Sequence, residues 1–391
     1  MIDQPRIGFD ALFLEQPKTG AGRYAVNLWR QLRQRVEPCK LELLAPGDSA
    51  EAVDAAADGR LTTVKLPPLR GRARKLWWEQ TGLPRAVRAC QPPLDLVHVP
   101  YFAAPAVKAV PYVVTIHDLI PLVVPAYAGS AAMRAYMRLV SRTAKGAALV
   151  LTDSEYSRQE IVRVLGVAPE RVRAIPLAAG DQFAPAADEA DREEVEQVRR
   201  RYGIRAPYIV NSGGLDVRKN VPAVIEGFAL AQGAGRLEHD LVIVGQAHTG
   251  NTRMYPPLDR LIKRLGLTDR VKFVGAVDDD EFVALYRGAD FFVFASTYEG
   301  FGLTPLEAMA CGTAVVSSGG TSLAEVVGDA GLIVEPTPRG VAGGIVRLAA
   351  DPGLRSELAA RGLERAGTYA WHTTAGLTLA AYAAALRDVA A

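Results

Sequence analysis

The chain reads as an α/β protein made of two doubly wound domains that face each other across a cleft. Three observations carry that reading. Short apolar blocks of strand character alternate with helix-like segments along the whole chain, as parallel sheets wrapped by helices require. At 391 residues the chain is too long for one ordinary core and suits two. The alternation is interrupted once, from Ala178 to Arg205, by a stretch with Gly180, Pro185 and the charged run Asp188–Arg201. That stretch reads as an interdomain linker carrying a surface helix, and it sets the domains at 1–178 and 206–371, with 179–205 between them.

In the N-terminal half the strand candidates are Ile7–Phe9, Leu41–Leu44, Leu96–Val99, Tyr112–Ile116 and Ala148–Leu151. In the C-terminal half they are Tyr208–Asn211, Leu241–Val244, Val271–Val274, Phe291–Phe294, Ala314–Ser317 and Leu332–Val334. Between the first two, Tyr24, Leu28, Trp29 and Leu32 fall at helical spacing within Arg23–Arg35. Hydrophobic content of 49% and charged content of 23% are ordinary for a folded protein and argue against disorder. No apolar run approaches the roughly 18 residues of a membrane helix. The start, Met1 to Phe9, lacks a charged region followed by an apolar one, so no signal peptide is expected. Cys39, Cys90 and Cys311 are odd in number and far apart; they suit a reducing cytosol and offer no metal site.

The most informative segment follows the aromatic strand candidate Phe291–Phe294. It runs Ser296-Thr297-Tyr298-Glu299-Gly300-Phe301-Gly302-Leu303-Thr304-Pro305-Leu306-Glu307 and stops at Gly312. Thr304 reads as a helix N-cap, Pro305 as the first helical residue and Gly312 as a stop. Glu299 then sits in a glycine-rich loop at the carboxyl end of a strand, where open α/β sheets bind ligands, and Glu307 in the first turn of the next helix. Thr304 and Glu307 also fit a capping box, a purely structural role. Glu299 is harder to read that way, because Gly300 and Gly302 remove side chains where a ligand would approach the backbone.

Five further loops hold candidate ligands. Thr19-Gly20-Ala21-Gly22 opens the first helix, whose N–H groups and small residues suit an anion or a close backbone approach; a simple tight turn fits as well. His117 and Asp118 end a strand; the histidine reads as a ligand or a packed residue, and Asp118 either orients the ring or caps a turn. Gly213 and Gly214 precede Arg218-Lys219-Asn220 before a helix, a pattern that suits a diphosphate or a solvated charged loop. Val277 precedes Asp278-Asp279-Asp280-Glu281, acids explained by the dipole of a helix start rather than by a metal. Ser322 and Leu323 follow Gly319 and Gly320 at another strand-to-helix turn with N–H groups suited to phosphate.

The Glu299-x7-Glu307 string, with its Glu-Gly-Phe-Gly-Leu and Leu-Glu-Ala-Met-Ala-x-Gly words, resembles the signature of the retaining glycosyltransferases of family 4. Thr304 departs from the proline more usual there, and Pro305 preserves the helix start. The other loops and Trp78-Glu79-Gln80 resemble the same family, so the likeness covers nearly the whole chain. It implies the GT-B fold, two Rossmann-like domains, with a closing helix, 372–391, crossing back to the N-terminal domain. It implies that His117 faces the donor sugar as a neutral imidazole, that Arg218 and Lys219 clamp the diphosphate, and that Glu299 grips the sugar while Glu307 holds the ribose. Gly20, Gly22, Gly213, Val277, Gly300, Phe301, Gly302, Leu303, Ser322 and Leu323 complete the implied donor site. Relatives often carry a second arginine where this chain has Gly214, which leaves Arg218 as the substitute.

The resemblance further implies a metal-free reaction with no cofactor beyond the nucleotide-sugar co-substrate. The donor's configuration is kept, by front-face attack in which the departing phosphate oxygen helps take the acceptor proton; no protein nucleophile is evident. The motifs look most like bacterial mannosyltransferases of polysaccharide biosynthesis that use GDP-mannose, with UDP-glucose and UDP-N-acetylglucosamine as alternatives. An epimerase acting at C2 of a nucleotide sugar explains the fold but not the two glutamates. An inactive nucleotide-sugar binding protein is at odds with His117, Lys219 and Glu299 occurring together.

Charge points to the acceptor. Residues 1–180 carry 24 Lys+Arg and 16 Asp+Glu, a balance of +8, whereas the remainder carries 21 and 27, or −6. Much of the excess lies in Arg60, Lys65, Arg70, Arg72, Arg74, Lys75, Arg85 and Arg88, against Glu79 alone, beside Trp77 and Trp78. Either the tryptophans pack and the arginines are solvated, or Arg70–Lys75 attracts an anionic partner: a saccharide or lipid-linked acceptor, or an anionic membrane through the 70–88 region. A cytoplasmic protein, peripheral on the inner face of the plasma membrane and without a nucleic-acid partner, is the expectation.

Overall fold

The computed structural model describes residues 4–35, 39–55, 60–127, 129–235, 237–246 and 251–390. They form two all-parallel sheets of seven and six strands. The first contains β1 (Arg6–Asp10), β2 (Lys40–Pro46), β3 (Arg60–Val64), β4 (Leu96–Val99), β5 (Tyr112–Thr115), β6 (Leu149–Thr152) and β7 (Val172–Ala174). The second contains β8 (Tyr208–Ser212), β9 (Asp240–Val244), β10 (Val271–Gly275), β11 (Phe291–Phe294), β12 (Ala314–Ser318) and β13 (Leu332–Val334). Their orders are β3-β2-β1-β4-β5-β6-β7 and β10-β9-β8-β11-β12-β13. Each sheet is doubly wound, with the order reversing between β1 and β4 and between β8 and β11, and the carboxyl ends at those points are where such sheets bind ligands.

Of the strands read from sequence, β1, β4, β5, β6, β8, β9, β11 and β12 are buried along their full length, which is why they appear as apolar blocks; β10 and β13, also read, are the edges of the second sheet and only partly buried. The two strands that pattern reading missed, β3 and β7, are the two edges of the first sheet. Their residues are largely exposed or half-buried, so neither carries a continuous apolar run. The helix Gly20–Arg33 buries Tyr24, Leu28, Trp29 and Leu32, as their spacing predicts.

The chain divides into two compact units: Met1–Val123, Ala128–Leu177 and Trp371–Ala391 in the first, Val124–Tyr127 and Ala178–Ala370 in the second. Residues 179–205, read as a linker, therefore belong to the second unit. Their helix, Glu189–Tyr202, is fastened there because Arg201 and Tyr202 both reach Glu281, at 2.5 and 2.9 Å, and Arg287 holds Asp191 at 2.7 Å.

The last helix, Trp371–Ala390, is part of the first unit; residue 391, assigned to it from sequence, lies outside the described residues. Thr374 donates to the Pro176 carbonyl at 2.7 Å, and Trp371 packs 6.3 Å from the Tyr24 ring. Deeper in, His98 contacts the Tyr382 hydroxyl through Nδ1 at 2.7 Å and Thr115 through Nε2 at 2.8 Å. Burial pushes the His98 pKa down to about 3, so the ring is neutral and one nitrogen donates while the other accepts. Tyr382→Phe leaves the buried Nδ1 without a partner. We expect a stability loss of about 1–3 kcal/mol, read as a lower denaturant midpoint; an unchanged midpoint would show that this bond does not hold the helix in place.

Candidate active site

In the second unit, the reversal point of the sheet gathers the residues of two loops. After β8 the chain turns through Gly213, whose φ of +120° disfavours other residues, and forms one 3₁₀ turn, Val217–Lys219, capped by Asp216. Asn220 (φ +53°) ends it, and its side chain donates to the carbonyls of Ala295 and Pro336 at 3.2 and 2.8 Å. After β11 comes the loop with Glu299. The two loops are stitched together by main chain, Thr297 N–H donating to the Arg218 carbonyl at 2.9 Å, and by the Arg218 guanidinium, which donates to the Tyr298 carbonyl at 2.9 Å.

Glu299 is buried between the two cations. Its Oε2 lies 2.6 Å from Arg218 and its Oε1 2.7 Å from Lys219. Burial works against the Glu299 anion, but Lys219 and Arg218 outweigh it and hold the carboxyl below its usual range. Burial and the neighbouring Arg218 lower the Lys219 pKa from the ordinary lysine value, with Glu299 opposing them. Lys219 also lies 4.9 Å from the Phe294 ring centroid. Asp216 stands 3.6 Å from Arg218, and the Tyr127 hydroxyl hydrogen-bonds at the same pair. Sequence reading assigned Arg218 and Lys219 to the diphosphate and Glu299 to the sugar; the structure brings all three side chains into contact.

The helix after Glu299 starts earlier than its sequence indicates. It spans Leu303–Ala310 with Gly302 as N-cap and no side-chain cap, so Thr304 lies within the first turn and makes no capping box with Glu307. Gly302 allows this through its φ of +122°, and a Cβ there would come 2.8 Å from Leu323; Pro305 is tolerated because first-turn N–H groups have no partner within the helix. Glu307 is buried on this helix. The stop at Gly312 is as read, with Gly312 and Thr313 N–H groups returning to Met309 and Ala308. The Ser322 hydroxyl lies 2.9 Å from the Glu299 carbonyl and 2.7 Å from that of Phe301, so this side chain holds the loop and only its backbone N–H remains for an anion. Phe301 packs edge-on against Tyr369, and Leu303 opens the helix.

Two loops over, Gly245 follows β9. Its N–H donates to the Gly275 carbonyl at 2.9 Å, and a Cβ on it would come 2.4 Å from the Gly213 carbonyl. Sequence reading passed over Gly245, although its place after a buried strand was the available signal. Val277, half-buried, lies two residues past Gly275, before a capping box of Asp278 and Glu281 that accounts for the acids there.

In the first unit, His117 follows β5. Its Nδ1 is 2.8 Å from Asp153 and its Nε2 3.3 Å from the Pro100 carbonyl. Asp153 is the orienting acid that sequence reading missed; it follows β6, the neighbour of β5 in the sheet. Asp118 caps the Ile120 N–H at 3.0 Å. Burial works to lower the His117 pKa, but Asp153 outweighs it and the net direction is up. Both ring nitrogens thus face acceptor oxygens, and Asp153 favours the charged ring more than water does. Gly22 stands against the Gln16 carbonyl, 1.8 Å from where a Cβ would lie, while Gly20 faces open space. Gly22 therefore serves chain packing, and the Thr19 side chain caps its N–H.

The basic stretch is only partly available. Trp78 is fully buried and donates to Asp10 at 2.9 Å. Arg74 is paired with Glu15 at 2.7 Å and Asp48 at 3.0 Å. Lys75 is 3.6 Å from Glu79 and lies over the rings of Phe13, Tyr101 and Tyr136 at 5.2–5.5 Å. Arg70 and Arg72 remain exposed. Among the described residues no three His, Cys, Asp or Glu side chains assemble into a metal site, and no helix is long and apolar enough to cross a membrane.

The fold thus places a buried Arg-Lys-Glu cluster at the reversal point of the second sheet. Comparison with known proteins identifies the class. Residues 18–179 match the family described as Glycosyltransferase Family 4, and residues 194–365 match Glycosyl transferases group 1. The O-antigen chain mannosyltransferase B of Escherichia coli is 28% identical over 384 residues, covering 94% of this chain and 97% of that protein. The serotype-specific mannosyltransferase WbdA of the same organism is 29% identical over 70% of this chain, which spans 33% of WbdA. A sucrose-phosphate synthase from Thermosynechococcus elongatus superposes with a TM-score of 0.74 at 21% identity, covering 97% of this chain and 98% of that one. The fold is GT-B, and the chain is a glycosyltransferase of family 4.

Because the folded His117 pKa is raised, the stability its ion pair supplies is complete below the ordinary value of 6.5 and is lost as pH rises through the folded value. Asp153→Asn removes the charge that raises it. The His117 titration, followed by NMR of the imidazole, is expected to move to lower pH. An unmoved midpoint would rule Asp153 out as the cause.

Proposed function

We propose that this glycosyltransferase moves a mannosyl unit from GDP-mannose to a saccharide or glycolipid acceptor, with retention of anomeric configuration and without a metal ion. The observation that carries the reading is Glu299 held at 2.6 and 2.7 Å by Arg218 and Lys219 at the reversal point of the second sheet. The mannosyltransferase named above, alike over nearly the full length of both chains, supports the choice of sugar.

The chemistry breaks the bond between the anomeric carbon and a phosphate oxygen and forms one from an acceptor oxygen to that carbon on the same face. The acceptor proton passes to the departing phosphate. Negative charge therefore grows on the diphosphate, and two fixed cations in a dehydrated setting stabilise it without reorganising. Arg218 and Lys219 are assigned that role, together with the N–H groups at Gly213, Ser322 and Leu323. Glu299 is assigned to a sugar hydroxyl and to the positive charge that develops on the ring. Glu307 is assigned to the ribose, and the backbone at Val277 and at Gly300–Leu303 to the rest of the donor. His117 is assigned a hydrogen bond to the sugar; its 3.3 Å contact with Pro100 is the longer and more replaceable of its two. The UDP-sugar reading differs in base and sugar but uses the same cluster.

Glu299→Gln keeps the shape and removes the charge. Turnover is expected to fall on the order of 10²-fold or more while nucleoside diphosphate still binds; near-normal turnover would release Glu299 from the chemistry. Lys219→Ala is expected to weaken nucleotide sugar and free diphosphate together, and unchanged affinity for both would refute the clamp. In a thermal-shift panel GDP-mannose should stabilise most, by about 2.7 kcal/mol at 100 times its dissociation constant; a larger shift with a UDP-sugar would overturn the donor. Activity should survive EDTA, and strict dependence on added Mg²⁺ or Mn²⁺ would exclude the metal-free reaction.

A further inference from the structure

A buried hydroxyl without a partner stands beside the Glu299 loop. Thr321 is 7% exposed, and its Oγ1, shielded from solvent, has no hydrogen-bond partner among the described residues. Buried polar groups in folded proteins are nearly always bonded, so one that is not calls for a reason. Its position makes the point sharper. Thr321 is the N-cap of the helix Ser322–Val327, where a threonine hydroxyl ordinarily accepts from an N–H of the first turn. Here the side chain makes no such bond, and the Ala324 N–H returns to the Thr321 carbonyl instead, at 3.1 Å.

Residues on both sides of Thr321 are tied to the loop that carries Glu299. Ser318 donates to the Ser296 carbonyl at 2.6 Å, and Ser322 to the carbonyls of Glu299 and Phe301 at 2.9 and 2.7 Å. Leu323 closes on Gly302, where a Cβ would come 2.8 Å from it. Since β11 and β12 are neighbours in the sheet, the turn 318–323 lies along 296–302 at the carboxyl ends of both strands. Of the hydroxyls at Ser318, Thr321 and Ser322, two hold that loop and the third is left over. Gly320, next to it, is exposed, with nothing within 4 Å of where its Cβ would stand. Open space therefore adjoins the threonine, and Gly319 and Gly320 give the turn the torsional freedom to present the side chain there.

We propose that the Thr321 hydroxyl is a ligand for the transferred sugar of the donor, alongside Glu299. A threonine hydroxyl donates one hydrogen bond and accepts others, as a sugar hydroxyl does, whereas the Glu299 carboxylate only accepts. The two complement each other around one ring. The diphosphate is the poorer match, because Arg218 and Lys219 reach Glu299 from the β8 side of β11 and Thr321 comes from the β12 side. The inference rests on the assignment of Glu299 to the sugar, and not on which nucleotide sugar is the donor.

The test compares Thr321→Val, which keeps the shape and removes the hydroxyl, with Thr321→Ser, which keeps the hydroxyl. Binding of GDP, UDP, GDP-mannose and UDP-glucose to the full chain is followed by titration calorimetry without acceptor, together with the denaturant midpoint of the ligand-free chain. In Thr321→Val the nucleotide sugar that the native chain binds best is expected to lose affinity on the order of tenfold, while the matching diphosphate binds as before. The ligand-free midpoint should be unchanged or higher, because an unpaired buried hydroxyl has given way to a methyl group of the same shape. Thr321→Ser should bind as the native chain does. Undiminished nucleotide-sugar affinity in Thr321→Val would overturn the proposal, as would an equal loss for sugar and diphosphate, which makes the hydroxyl a phosphate ligand. A lower midpoint with no selective loss of the sugar would leave Thr321 a structural residue only. Glu299→Gln separates the inference from the reading beneath it. Selective loss of sugar affinity there but not in Thr321→Val removes Thr321 alone, and no selective loss in either variant removes both.

Discussion

Everything in the second unit's site hangs on keeping Glu299 ionised while it is out of water. A buried carboxylate with no partner costs several kcal/mol, and breaking a buried pair by removing one member typically costs about 3–5 kcal/mol. Arg218 and Lys219 meet that demand from the neighbouring loop, and they can do so only because β8 and β11 are adjacent in the sheet. The same reversal of strand order that opens a crevice therefore brings the cations of one loop against the anion of the other. The backbone bonds from Thr297 and Arg218 then hold the two loops at a fixed spacing. The constellation is built before any donor arrives, which is what electrostatic preorganisation asks of a site.

That pairing has a consequence for the proposed reaction. Arg218 and Lys219 are balanced by Glu299 and Asp216, so the cluster is close to neutral as it stands. On the proposed function, phosphate oxygens compete with the Glu299 carboxylate for these cations. On this reading donor binding exchanges one counter-ion for another, and the released carboxylate becomes available to the sugar. The Arg218 and Lys219 heads, each tied to a fixed loop, need move little in the exchange.

The sequence was most informative where burial was complete. The central strands of both sheets announce themselves as apolar blocks, and the edge strands β10 and β13 stay apolar enough to be read, whereas β3 and β7 set exposed polar residues among their apolar ones and leave no such signal. Local helix grammar misplaced one start: Thr304, Pro305 and Glu307 spell a cap, but the left-handed Gly302 and its packing against Leu323 begin the helix earlier. Tertiary geometry won over a local pattern there. Pairings between distant positions were the least legible. Asp153 meets His117 because β5 and β6 are neighbours, and nothing in the spacing of the two residues says so. The union of Arg218, Lys219 and Glu299 had the same cause: each residue was readable as a ligand, but their mutual contact depends on strand order.

The two basic regions of the first unit make the same point about charge. By composition the stretch from Arg60 to Arg88 is the stronger, with eight cations against one acid. Yet its carboxylate partners come from elsewhere in the chain: Glu15 and Asp48 neutralise Arg74, and three aromatic rings with Glu79 enclose Lys75. The helix Ala131–Lys145 has fewer cations, but among the described residues none of its four is paired with a carboxylate. A surface field is set by charges left unpaired after folding rather than by charges counted along the chain. Two of the eight cations of that stretch are thus taken up by pairing on folding, while Arg60, Lys65, Arg70, Arg72, Arg85 and Arg88 stay exposed, so density along the chain overstates the field of the stretch.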